Sequence, residues 1–212
     1  MPPRAGGPPR QLIVLLHGVG ADGDDLIALA PALARRLAGA AFVAPDAPEP
    51  CDMAPFGYQW FSLRDRRPEA LLLGVQSVAP LVDAFIDAEL ERYRLADDRL
   101  ALIGFSQGAM TALYVALRRP RAVAAVLGYS GALLGGEQLT EEAWSRPPVY
   151  LVHGDADEVV PVQATYAAVA GLQAAGLPVQ WSIRRGLPHG IDPESVEHGA
   201  AFLAASFAAQ GA

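Results

Sequence analysis

The sequence predicts an α/β fold, a mostly parallel central sheet covered by helices on both faces, and three observations carry that expectation. Apolar runs of strand length recur at residues 11–17, 40–44, 100–105, 122–129, 149–152 and 179–183. Segments with apolar residues at helical spacing fall between them, at 26–37, 75–93, 109–117 and 162–175, with a closing one at 193–209. The strand runs are continuously apolar, as in sheets with helices on both faces.

Composition bounds what such a fold can do. At 212 residues the chain reads as a single domain over residues 11–212. Residues 1–10 are rich in Pro and Gly and read as a flexible tail, with no apolar core of a signal peptide. Hydrophobic residues make up 52% and charged residues 18%, which excludes a disordered chain. A net charge of −7 argues against nucleic acid or an anionic membrane as the main partner. Cys51 is the single cysteine, so neither an intramolecular disulfide nor a cysteine metal cluster is expected. No apolar run approaches membrane-span length, so no stable membrane insertion is expected. A cytoplasmic protein follows.

Taken in order, residues 11–17 hold Leu-Ile-Val-Leu-Leu, a strand buried on both faces. A Gly-rich loop with a helix cap follows, then a leucine-spaced helix over 26–37 and a strand over 40–44. Residues 45–74 are long and irregular, the kind of loop that is functional or mobile in a compact domain. The helix over 75–93 places Val78, Leu81, Val82, Phe85, Ile86 and Leu90 on one face. Residues 130–148 connect the strand at 122–129 to the next one, a stretch too short to insert a cap domain.

The chemistry centres on residues 99–120. A short apolar strand, Leu100 to Phe105, runs into a helix through Gly104-Phe105-Ser106-Gln107-Gly108, a G-x-S-x-G turn. Turning from strand to helix through one residue leaves that residue strained and exposed, and the flanking glycines remove the side chains that would collide. Ser106 then stands at the carboxyl end of the sheet and at a helix N-terminus, where free N–H groups favour developing negative charge.

A serine nucleophile needs a base, an orienting carboxylate and an oxyanion hole, and in this architecture the order is Ser, acid, His. Of the histidines after Ser106, His153 lies at the end of a strand and His198 inside the closing helix. His189, in Gly-Leu-Pro-His-Gly just past the last strand, is the expected base. Asp155, Asp157 and Glu158 compete for the acid. Asp155 follows the strand directly and is suited to fixing the turn, so Asp157 is favoured. The backbone N–H of Gln107 supplies one oxyanion donor, and Val19, in His17-Gly18-Val19-Gly20, supplies the second.

These four segments together resemble the carboxylesterase/phospholipase family, the acyl-protein thioesterase-like branch of the α/β-hydrolases. The matching motifs are residues 16–25, 104–108, 153–161 and 188–190, in order and covering nearly the whole chain from Gln11. The resemblance implies Ser106 as nucleophile, Asp157 as acid, His189 as base, Val19 and Gln107 as oxyanion donors, and no cofactor or metal. It implies a small-molecule ester as substrate, with thioesters and lysophospholipids in range. Members of the family are often dimers, so homodimerisation is an open state here. Ala109 stands where the family often has a second glycine. The family's aromatic segment is matched only loosely by residues 58–63, which leaves the substrate pocket undetermined.

With no cap, the loop at 45–74 is the remaining material to cover the site. Its Met53, Phe56, Trp60 and Phe61 are expected to line one wall of a shallow acyl groove for short to medium chains. Two alternatives compete: a non-catalytic binding protein on the same fold, and a dienelactone-hydrolase-like enzyme. The latter uses a cysteine at the elbow, whereas Cys51 lies far from it in sequence.

Overall fold

The computed structural model describes residues 1–210; residues 211 and 212, the end of the expected domain, lie outside the described residues. The chain runs β1 (Gln11–Leu16), α1 (Gly23–Ile27), α2 (Ala30–Leu33), β2 (Ala40–Val43), β3 (Glu49–Pro50), β4 (Tyr58–Gln59) and α3 (Pro68–Tyr93). It continues β5 (Leu100–Phe105), α4 (Gln107–Arg118), β6 (Ala125–Tyr129), α5 (Leu139–Glu142), β7 (Val149–Gly154), α6 (Gln163–Ala174), β8 (Val179–Arg184) and α7 (Pro193–Ala209). Six strands form one all-parallel sheet in the order β2-β1-β5-β6-β7-β8, and β3 pairs with β4 in a small antiparallel hairpin.

Alternate residues of the central strands feed two separate cores. Leu12, Val14, Leu100, Leu102, Val126 and Leu151 pack under α3, α4 and α6. Ile13, Leu15, Ala101, Ile103, Leu127 and Val152 pack under α1, α2 and α7. Both faces are therefore covered, which is why the strands read as unbroken apolar runs. The chain leaves β1 towards β2 and then returns to the other side of β1 as β5. That reversal places the loops after β1 and β5 side by side at the carboxyl ends of the strands, where sheets of this type open a crevice. The connection from β6 to β7 holds one 3-10 turn and the four-residue α5, with no cap domain.

Three expectations are corrected. The single helix expected over 26–37 is two short ones, because Pro31 lacks an N–H and its ring collides with the carbonyl a turn earlier. Helix α3 begins at Pro68 rather than residue 75, with Pro68 in the first turn, where a missing N–H is harmless. Its buried stripe is Val75, Val78, Val82, Ile86 and Leu90, while Leu81 points outward at 59% exposure. By length and composition alone α3 reaches membrane-span dimensions, and in this fold that stripe lies in the core instead. Lastly, residues 1–10 are tied along the outer side of β2. Ala5 N–H donates to Ala38 O (2.8 Å), Arg10 N–H to Gly39 O (2.9 Å) and Phe42 N–H to Met1 O (2.9 Å). Backbone pairing of this kind shields a sheet edge whatever the side chains are.

Candidate active site

Ser106 sits at φ 54°, ψ −118°, a conformation that non-glycine residues rarely adopt. The surroundings hold it there. A Cβ on Gly104 would fall 2.3 Å from Gly108 O, and one on Gly108 would fall 1.9 Å from Leu16 O. Both glycines are thus required by β5, α4 and β1 closing on one another. Ser106 N–H donates to Tyr129 O on the neighbouring β6 (2.9 Å), and Ser106 O accepts from Ala109 N–H and Met110 N–H in the first turn of α4. The hydroxyl makes no capping bond to its own helix, which leaves it for chemistry.

The loop after β7 supplies a buried carboxylate. Asp157 Oδ1 accepts from Val159 N–H (2.9 Å) and Val160 N–H (2.8 Å). Its Oδ2 lies 2.7 Å from His189 Nδ1 and 3.2 Å from His153 Nε2. Burial alone would raise the Asp157 pKa; the bond from His189 and the two backbone amides outweigh it and hold the carboxyl below the usual range. The side chain is accordingly an anion at neutral pH, and His189 Nδ1 carries the proton that faces it. In the neutral ring Nε2 is then the nitrogen without a proton. The His189 ring packs on the Phe105 ring at 4.8 Å between centroids, next in sequence to Ser106.

The other candidates separate cleanly. Asp155 is exposed and accepts from Gly186 N–H (2.6 Å), tying the ends of β7 and β8 together. Glu158 and His198 are exposed. His153 is buried, with Nε2 donating to Val160 O (2.8 Å) and Nδ1 facing Thr165 Oγ1 (2.7 Å).

The loop after β1 crosses directly over the elbow. A Cβ on Gly18 would stand 3.4 Å from Ser106 Cβ and 3.0 Å from the Phe105 ring. Among the described residues the Val19 N–H has no backbone acceptor, and Gln107 N–H opens α4, where no intrahelical acceptor exists. The loop is braced by the β3–β4 hairpin: Gly20 N–H donates to Tyr58 O and Tyr58 N–H to Ala21 O, both at 2.8 Å. Gly57, at φ +73°, presses on the Gly20 carbonyl so closely that a Cβ would fall 2.0 Å from its oxygen.

The structure separates the four residues expected to line an acyl wall into two buried and two exposed. Trp60 and Phe61 are each 3% exposed and belong to the core. Trp60 Nε1 donates to His17 O (2.9 Å), Trp60 N–H donates to Gln107 Oε1 (2.9 Å), and Gln107 Nε2 donates to Phe61 O (2.6 Å). These two aromatics brace the turn instead of lining a groove. Met53 and Phe56 are exposed, at 53% and 71%, near the tip of the hairpin. The side-chain roles of Gln107, His17 and His153 have no local sequence signal, because their partners are remote backbone groups. Among the described residues no cluster of three or more His, Cys, Asp or Glu suits a metal ion. Cys51 lies beside the loop after β1, its Sγ 3.9 Å from where a Gly20 Cβ would be, and takes no place in the elbow.

The profile of the phospholipase/carboxylesterase family matches residues 4–207. The chain belongs to that family. Membership makes it a serine hydrolase of the ester-cleaving class, on the α/β-hydrolase fold. Esterase YpfH of Escherichia coli is 28% identical over 190 residues, covering 90% of this chain and 80% of that protein. Acyl-protein thioesterase 1 of Saccharomyces cerevisiae is 27% identical over 215 residues, covering 92% of each. Among solved structures, esterase PE8 is 40% identical and superposes with a TM-score of 0.91, covering 96% of this chain and 95% of its own.

Proposed function

We propose that this family member hydrolyses carboxylic esters and thioesters of short to medium acyl chains through an acyl-enzyme on Ser106. One observation carries the reading: a buried Asp157–His189 pair at 2.7 Å, its imidazole packed on the ring of Phe105, the residue that precedes a serine held at φ 54°. In the proposed cycle His189 Nε2 takes the Ser106 proton as Oγ attacks the carbonyl carbon. The developing oxyanion is received by Val19 N–H and Gln107 N–H. His189 then protonates the leaving alcohol or thiol, and water repeats the sequence to release the acid. Asp157 fixes the tautomer and stabilises the imidazolium without itself being protonated. The thioester part of the reading draws support from the acyl-protein thioesterases among the relatives. Met53 and Phe56, on the hairpin that braces the Gly18–Val19 turn, are the side chains proposed to meet the acyl chain or leaving group.

The test is a rapid-mixing assay with p-nitrophenyl esters from acetate to dodecanoate, beside matching thioesters. The proposal expects a burst of p-nitrophenol close to one equivalent per enzyme wherever deacylation is the slower step, and a fall in kcat/KM beyond medium chain length. Absence of turnover over the whole panel, with the protein folded, would instead mark a binding module on a hydrolase fold.

A further inference from the structure

His17 is fully buried, is not a member of the Ser106–Asp157–His189 set, and has both ring nitrogens engaged. Ala47 N–H points at Nε2 from 2.9 Å. A backbone N–H can only donate, so Nε2 is an acceptor and carries no proton. The neutral ring then holds its proton on Nδ1, which faces Gly18 O at 2.7 Å. That carbonyl can only accept, so both contacts require the same tautomer, and an imidazolium would lose the Ala47 bond.

Gly18 C=O and Val19 N–H belong to one trans peptide, and the two bonds of a planar trans peptide point in opposite directions. Gripping the carbonyl therefore aims the N–H. Gly18 O is held a second time by Ala21 N–H at 3.2 Å, and the His17 carbonyl is held by Trp60 Nε1 at 2.9 Å. The His17 ring itself rests against the Trp60 ring, 5.4 Å between centroids. The Gly18 Cα that this peptide follows lies over the elbow, where an added Cβ would reach within 3.4 Å of Ser106 Cβ.

We propose that His17 is a positioning residue for the reaction: its Nδ1–H fixes the Gly18–Val19 peptide plane so that Val19 N–H is preset towards the oxyanion formed at Ser106. This rests on the functional reading above. A donor that must reorient during the reaction loses the advantage of preorganisation, and removing one oxyanion donor outright reduces kcat about 10²–10³-fold. Losing the clamp but not the donor is expected to reduce kcat by roughly 10–100-fold.

Two substitutions separate the two ring nitrogens. In His17→Asn the amide Nδ2 overlays imidazole Nδ1 and can still donate to Gly18 O, while the Ala47 bond is lost. In His17→Gln the longer side chain can place Oε1 to accept from Ala47 N–H, and the donor to Gly18 is lost. The expected order of kcat is wild type, then Asn, then Gln, with KM within about threefold throughout because the substrate carbonyl gains charge only after attack. A trifluoromethyl ketone, which takes up Ser106 Oγ as a hemiketal with an anionic oxygen, should lose affinity in parallel with kcat. Thermal melts identify any variant whose loss is one of folding, and the ¹⁵N-histidine spectrum of the wild type reads the tautomer directly. A His17→Gln enzyme as active as His17→Asn, a loss confined to KM, or a wild-type His17 protonated at Nε2 overturns the proposal. A wild type that cleaves no ester overturns the functional reading and this inference together; an active wild type with an unimpaired His17→Gln overturns only the inference.

Discussion

Replacing Trp60 discriminates between an acyl wall and a brace under the turn after β1. The indole is 3% exposed, its Nε1–H bonds to His17 O at 2.9 Å, and its backbone N–H bonds to the Gln107 side chain at 2.9 Å. Trp60→Phe keeps most of the buried ring and deletes one donor, leaving the His17 carbonyl unpaired at about 1–3 kcal/mol. For a domain of this size each kcal/mol moves Tm by about 2–4 °C, so Tm should fall by roughly 2–12 °C. Trp60→Ala adds the cavity of a buried aromatic, about 3–5 kcal/mol, and should fall further. Because the lost bond holds the segment that crosses Ser106, the proposed mechanism assigns the effect on rate to the oxyanion and not to the acyl chain. The assay is kcat/KM for p-nitrophenyl acetate and octanoate on wild type and Trp60→Phe at a temperature where both are folded. Equal fractional losses on the two esters are expected. A variant that keeps full activity on acetate and loses it selectively on octanoate would refute the brace and restore a wall.

Three further outcomes follow from the same geometry. Ser106→Gly should abolish turnover yet raise Tm by a few degrees, since a residue at φ 54° stores about 1–3 kcal/mol that glycine relieves, less the entropy glycine adds to the unfolded chain; an unchanged or lower Tm by calorimetry contradicts stored strain. Asp157→Asn should lower kcat about 10⁴-fold by releasing the His189 tautomer. Asp155→Asn, which weakens only the bond to Gly186 N–H, should stay within about tenfold, and a reversal of the two would reassign the acid. On the acid side, kcat/KM should fall with unit slope. No second carboxylate step is expected above about pH 4, because Asp157 is held below the ordinary carboxylate value of about 3.9. The same depressed value means that the stability Asp157 contributes is complete above that ordinary value and lost as pH falls below it. A slope of two between roughly pH 4 and 6 in a pH–rate profile would contradict an ionised Asp157.

The elbow and the strands were legible because their signals are local. Gly104 and Gly108 mark a steric demand within five residues, and strands buried on both faces leave a continuous apolar run. Asp157 could be favoured over Asp155 from loop position alone, and the two prove to have different partners. Trp60 and Phe61 carry no such local signal because what buries them is distant: Gln107, 47 and 46 residues on, holds their backbone, and Phe61 packs on α3 at Gly74. Gly74 closes the loop expected from the sequence, but a Cβ there would meet the Phe61 ring at 2.8 Å, so the glycine serves packing inside a helix. The pairing of residues 1–10 with the chain around β2 uses backbone groups, which a reading of side-chain composition cannot register.

The central claim is that Ser106 is an activated nucleophile, and its most direct measurement is intact-mass spectrometry after exposure to a fluorophosphonate, with the modified peptide mapped. The wild type should gain a single phosphonyl group on Ser106, Asp157→Asn and His189→Ala should label far more slowly, and Ser106→Ala should stay unlabelled. An unmodified wild type, or an adduct that persists in Ser106→Ala, would contradict it.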